Sequence, residues 1–142
     1  MFIDGHLDPT KERYHDFIRL LGPLTRLKRK PLIEIHRGCY SGSGPGRVPL
    51  REQELRDIFP INCAKLIKPL DFQIEVFIWD DIHDRHIITD LMGILLGNGL
   101  DTTTSDEPTT WARLGRKDRD DIQRRYDPAF RPRNLIYRFS VP

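Results

Sequence analysis

The sequence predicts a single α/β domain with a mixed sheet flanked by helices. Three observations predict it. Strand-like and helix-like segments alternate through the first half of the chain; the strongest strand pattern, dense in β-branched and aromatic residues, lies in the middle; and a glycine-bounded apolar segment follows soon after as the second arm of a hairpin. At 142 residues the chain is long enough to bury a core without disulfides or metal.

The first strand is the apolar opening around Phe2 and Ile3. Asp8 followed by Pro9 reads as a helix N-cap with proline at the first helical position. Tyr14, Phe17, Ile18 and Leu21 recur at i, i+3, i+4 and i+7, one buried helical face, and Gly22-Pro23 ends it. A basic connection, Leu24 to Lys30, leads to a strand over Leu32 to His36. Strand, helix, strand in that order points to a right-handed crossover and a mostly parallel arrangement at this point. Arg37 to Pro49 is rich in Gly, Ser and Pro and reads as a loop near the functional edge of the sheet. It lacks the lysine and Ser/Thr of a P-loop, and its glycines do not fit a dinucleotide fingerprint.

A second helix is expected over Leu50 to Phe59, interrupted at Pro60 and resumed through Leu66. Phe72 to Trp79 is the strong central strand. Arg85 to Thr89 follows as another, and Gly93 turns into the short strand Ile94-Leu95-Leu96, making a hairpin. Asp101 to Thr110 reads as a polar loop, Lys117 to Tyr126 as a charged helix, and Leu135 to Val141 as a last alternating strand. Trp79 and Trp111 are expected inside, with Tyr126 and Phe130 as core anchors.

Charged residues make up 31% and hydrophobic ones 38%, with a net charge of +2. That balance fits an ordinary soluble domain and does not by itself announce a nucleic-acid binder. No apolar run approaches the ~20 residues of a membrane span. Cys39 and Cys63 show no metal or disulfide spacing, so free thiols in a reducing cytoplasm are expected. The immediate opening on a strand predicts that residues 1–142 are the C-terminal part of a longer protein carrying a flanking domain.

The informative stretch is His83-Asp84-Arg85-His86-Ile87-Ile88-Thr89-Asp90. In an extended strand, residues two apart point the same way. His83 and Arg85 are therefore expected side by side, a nucleophile or proton carrier next to a phosphate anchor. The six acidic and histidine residues Asp80, Asp81, His83, Asp84, His86 and Asp90 also invite a metal reading, but alternation sends them to opposite faces. His36 is expected near the same edge as a satisfied core or edge histidine, while His6 and His15 look incidental. The last third carries a basic run from Arg113 to Arg133, interspersed with aspartates.

The spacing H-x-R-x4-D resembles the H-x-K-x4-D signature of the phospholipase D superfamily. Six residues separate Gly97 from that aspartate, the offset at which the family often carries a glycine, and the order of elements agrees from about residue 2 to 100. The stretch Gly97-Asn98-Gly99-Leu100-Asp101 further resembles the phospholipase D-like domain at the C-terminus of MIT-domain proteins and its bacterial relatives. Two departures stand out: Arg85 replaces lysine, and Asn98 and Leu100 stand where active members carry Ser and Asn.

The resemblance implies a metal-independent, cofactor-free phosphodiesterase, a nuclease in a bacterial defence system. His83 would form a phosphohistidine, Arg85 would stabilise the oxygens, and Asp90 would orient a motif residue or support the turn. Gly97, Asn98, Arg113, Arg116 and Lys117 would bind substrate. One motif makes half a site, so a homodimer would supply the second histidine. The alternative is a non-catalytic dimerisation module on the same fold, contacting anionic membrane lipid or a protein partner.

Overall fold

A computed structural model describes residues 1–42, 44–101, 109–130 and 134–141. Seven strands form one mixed sheet. In chain order they are β1 (Phe2–Asp4), β2 (Ile33–Gly38), β5 (Ile74–Trp79), β6 (Arg85–Ile88), β7 (Gly93–Leu96), β8 (Trp111–Arg113) and β9 (Leu135–Val141). Their order across the sheet is β8-β7-β6-β1-β2-β5-β9. β2 runs parallel to both β1 and β5, and the remaining pairings are antiparallel. The expected parallel crossover is present, but parallel pairing is the minority.

Alternation along β1 divides the molecule into layers. Phe2 faces one side, where it meets Phe17 of α1 (His15–Leu21) edge-on at 5.0 Å. Ile33, Ile35, Val76 and Ile78 extend that core, which α2 (Glu52–Arg56) and α3 (Ala64–Ile67) complete through Leu55, Ala64 and Ile67. Ile3 faces the other side. There Phe77, Trp79 and Ile88 pack against Ile122 and Tyr126, carried by α4 (Arg116–Arg125) and the residue after it.

Several boundaries differ from the expectations, each for a local reason. Asp8 caps a tight turn, accepting the Thr10 amide at 3.1 Å and the Thr10 hydroxyl at 2.5 Å, so α1 begins only at His15. Pro60 does not stop its helix; the chain widens into a π-helical stretch, Asp57–Cys63, which absorbs the missing amide donor. The 37–49 segment holds a small separate hairpin, β3 (Tyr40–Ser41) with β4 (Val48–Pro49). β8 was not anticipated. It sits on an edge, leaving Trp111 exposed where burial was expected; Phe130 is exposed as well, whereas Trp79 and Tyr126 are buried. Most of the expected 101–110 loop, together with Arg131 and Arg133, lies outside the described residues. Cys39 and Cys63 are unbridged. No helix among the described residues is long and apolar enough to cross a membrane.

His36 lies under α4, on the opposite face from Arg85. Its ring stacks on Phe77 at 4.7 Å, and its Nδ1 accepts the Trp79 indole N–H at 3.1 Å. An indole only donates, so the ring proton must sit on Nε2, whose nearest acidic neighbour is Glu34 at 3.7 Å. Burial pushes His36 below its ordinary value, with Glu34 opposing, and burial also lowers His86. Below about pH 6.5 the unfolded chain binds protons that these native rings resist, so their stabilisation is intact above that pH and is lost as pH falls. Thermal unfolding at pH 7.5 and 5.5 should show a lower Tm in acid. His36→Asn, which keeps an acceptor for the indole, should flatten the change; an unaltered slope would contradict this.

Candidate functional site

Asp4, the last residue of β1, is 2% exposed. Its cross-strand partner on β6 is Arg85, and extending the β1–β2 register by one residue sets Arg37 on its other side. All three share the α1 face at the carboxyl end of the parallel strands, the edge at which open α/β sheets bind ligands. Two strand spacings separate the arginine backbones, roughly 10 Å, which two long side chains can close over one small anion.

Buried contacts fix this row. Asp4 accepts the His6 amide on Oδ1 and the Leu100 amide on Oδ2, both at 3.0 Å. The second bond ties the 97–101 turn to β1 and seats Leu100 in the core. Arg37, 4% exposed, donates from Nε to the Leu7 carbonyl at 2.9 Å and from Nη1 to Gly38 at 3.0 Å. Arg85 Nη1 reaches the Gly97 carbonyl at 3.4 Å. Around them is a half-open cavity of about 200 Å³ that also takes in His6, Lys11, Tyr14, Ser41 and Asn98. Arg13 and Asp101 border it and pair with each other at 3.6 Å.

His83 is not on a strand. The chain leaves β5 and must pass β2 and β1 to reach β6, three spacings or about 14 Å. Five extended residues, 80–84, cover about 16 Å, so they have little slack. This bridge lies directly over the end of β1, because a Cβ on Gly5 would run into the Ile82 carbonyl. His83 and His6 therefore line a common small cavity of about 40 Å³ next to the larger one. His83 is 80% exposed, and its Nε2 lies 3.3 Å from Asp81 Oδ1, the oxygen that Arg47 holds at 3.1 Å.

Asp90 is elsewhere. It sits at the exposed far end of β6, about 16 Å from Arg85 by strand rise, in a turn held by Thr89, whose Oγ1 accepts the Leu91 and Met92 amides. Its backbone carbonyl accepts Arg119 at 2.6 Å. This position does not bring Asp90 to the cleft, and the bonds that hold the turn are made by the Thr89 side chain and the Asp90 backbone. Arg113 is exposed on edge strand β8, and Arg116 and Lys117 line a surface of α4 on the other side of the sheet. Of the expected binding residues, Asn98 lines the cleft, and Gly97 meets it through the carbonyl that accepts Arg85. Among the described residues no group of three or more His, Cys, Asp or Glu is arranged to hold a metal ion.

Sequence reasoning passed over His6, Lys11 and Arg37. The usable signal was an acidic residue closing the first strand, followed at once by Gly-His, with an arginine next to last in the parallel neighbour. Burial pushes His6 below its ordinary value; Asp4 opposes, and Arg37, Arg85 and Arg13 push it further down. The ring is thus neutral at pH 7, able to accept one hydrogen bond and donate another. Burial also raises the Tyr14 hydroxyl, which stays a neutral donor. The site is cationic, partly desolvated and rich in donors, a setting that suits an oxyanion. Comparison with protein-family models, curated proteins and solved structures gives no match.

Proposed function

We propose that this is a phosphate-ester-binding domain of the phospholipase D-like type, with Arg85 and Arg37 as its anion anchors. The observation that carries the reading is the row Arg85–Asp4–Arg37, which places two guanidinium groups on one cavity wall with a fixed carboxylate between them. Backbone carbonyls take two of the Arg37 donors and one of the Arg85 donors, which leaves each guanidinium further N–H groups for an oxyanion. Calorimetric titration with inorganic phosphate tests this. Saturable binding that weakens with added salt is expected, and no heat at any accessible concentration would remove the proposal.

A second reading, metal-independent phosphodiester cleavage acting on nucleic acid, is favoured by the shared cavity of His83 and His6. In it, Asp81 holds His83 Nε2 and leaves Nδ1 to attack phosphorus. The bond to the leaving oxygen breaks, and His6 in its protonated form gives that oxygen its proton. Water then cleaves the N–P bond and returns a proton to His6. The in-chain His6 takes the part that the motif alone assigns to a partner subunit. Oligonucleotide cleavage that resists EDTA and disappears in both His83→Ala and His6→Ala is expected; cleavage surviving His83→Ala would contradict it.

A further inference from the structure

Resting on the reading that the cleft holds phosphate, we propose that it takes the dianionic end of a phosphomonoester and discriminates against a phosphodiester. Charge is the first argument. Lys11, Arg13, Arg37 and Arg85 line the cavity against Asp4 and Asp101, a surplus of two positive charges in the lining, of which Lys11 is partly offset by Asp8 at 3.7 Å. A monoester above its second pKa of about 6 carries two negative charges, a diester one.

Shape is the second. The cavity, about 200 Å³, is smaller than the roughly 300–1,000 Å³ that houses a whole drug-sized ligand, so it suits one group rather than a length of chain. Its inner wall is Arg37, whose Nε–H and one Nη1–H are committed to backbone carbonyls while Nη2 has no partner among the described residues. Walls come from separate parts of the chain: Lys11 and Arg13 ahead of α1, Ser41 and Gly42 beyond β2, and Asn98 with Asp101 after β7. A phosphorus that reaches Arg37 between these walls has room for a carbon substituent toward the mouth. A diester, substituted on two sides, has to fit a second carbon between the same walls.

The chemistry is shared by a small soluble monoester and a lipid headgroup ending in one, and the experiment separates them. Calorimetry at pH 8, where the monoester is fully dianionic, compares methyl phosphate with dimethyl phosphate, and vesicle flotation compares phosphatidic acid with phosphatidylglycerol. Methyl phosphate is expected to bind about tenfold or more tightly than dimethyl phosphate, the effect of one further charge in a partly desolvated site. Lys11→Gln, a change at the exposed rim, should narrow that ratio several-fold. A vesicle preference for phosphatidic acid marks the lipid as an admissible source; its absence beside methyl phosphate binding marks the soluble one. Equal affinity for the two methyl esters overturns the inference and leaves the phosphate reading standing. Binding of neither overturns both.

Discussion

Gly99→Ala should lower the stability of this domain by about 3 kcal/mol and take the cleft with it. Gly99 has φ +68°, a left-handed conformation that costs a residue with a Cβ roughly 1–2 kcal/mol. The new methyl would also collide with the Asp4 carboxylate. Asp4 cannot yield freely, because its oxygens hold the His6 and Leu100 amides; displacing it leaves buried donors unpaired, at about 1–3 kcal/mol each. For a chain of this size the total corresponds to a Tm drop on the order of 10 °C. Gly22 is the control: its φ is −51° and no atom lies within 4 Å of the position a Cβ would take. Thermal unfolding of both variants checks the account, which fails if Gly99→Ala and Gly22→Ala melt together.

Arg85→Ala should weaken phosphate binding by about ten- to a hundredfold, the loss of one or two charge-assisted hydrogen bonds, while leaving the fold intact. Arg85 begins a strand whose pairing to β1 and β7 is made by backbone, and among the described residues its side chain makes one hydrogen bond, a long one of 3.4 Å to the Gly97 carbonyl. The neighbouring Arg37 cannot serve as the equivalent test. Its guanidinium satisfies two buried carbonyls, so truncating it confounds binding with stability. Asp90→Asn, at the remote turn, should leave affinity within about twofold, since an exposed charge at that distance is largely screened. Affinity unchanged in Arg85→Ala, or lost in Asp90→Asn, would place the anion elsewhere.

Strands were legible where side chains alone determine them. β9 matches its expected limits, and β5 lies within its apolar run, because β-branched and aromatic alternation leaves no competing register. β8 was illegible since Trp-Ala-Arg has no periodicity; it pairs because β7 offers an open edge. The cleft was half legible. Arg85 and Asn98 stand out in the motif, but the argument that residues two apart share a face fails at His83, which belongs to a bridge stretched across two strands. His6 and Arg37 come to the cleft through sheet order, which local sequence does not encode. The cationic run near the C-terminus drew attention by composition, yet α4 carries its helical part to the other side of the sheet, where Arg116 pairs with Asp120 and Arg124 with Asp121.

The most direct measurement is a two-dimensional NMR titration of the labelled protein with inorganic phosphate. The cleft reading predicts that the His6 and Leu100 amides, both tied to Asp4, and the Arg85 side-chain signals shift together along one saturating curve. Shifts confined to Arg116, Lys117 and Arg124 on α4, with His6 and Leu100 unmoved, would contradict it.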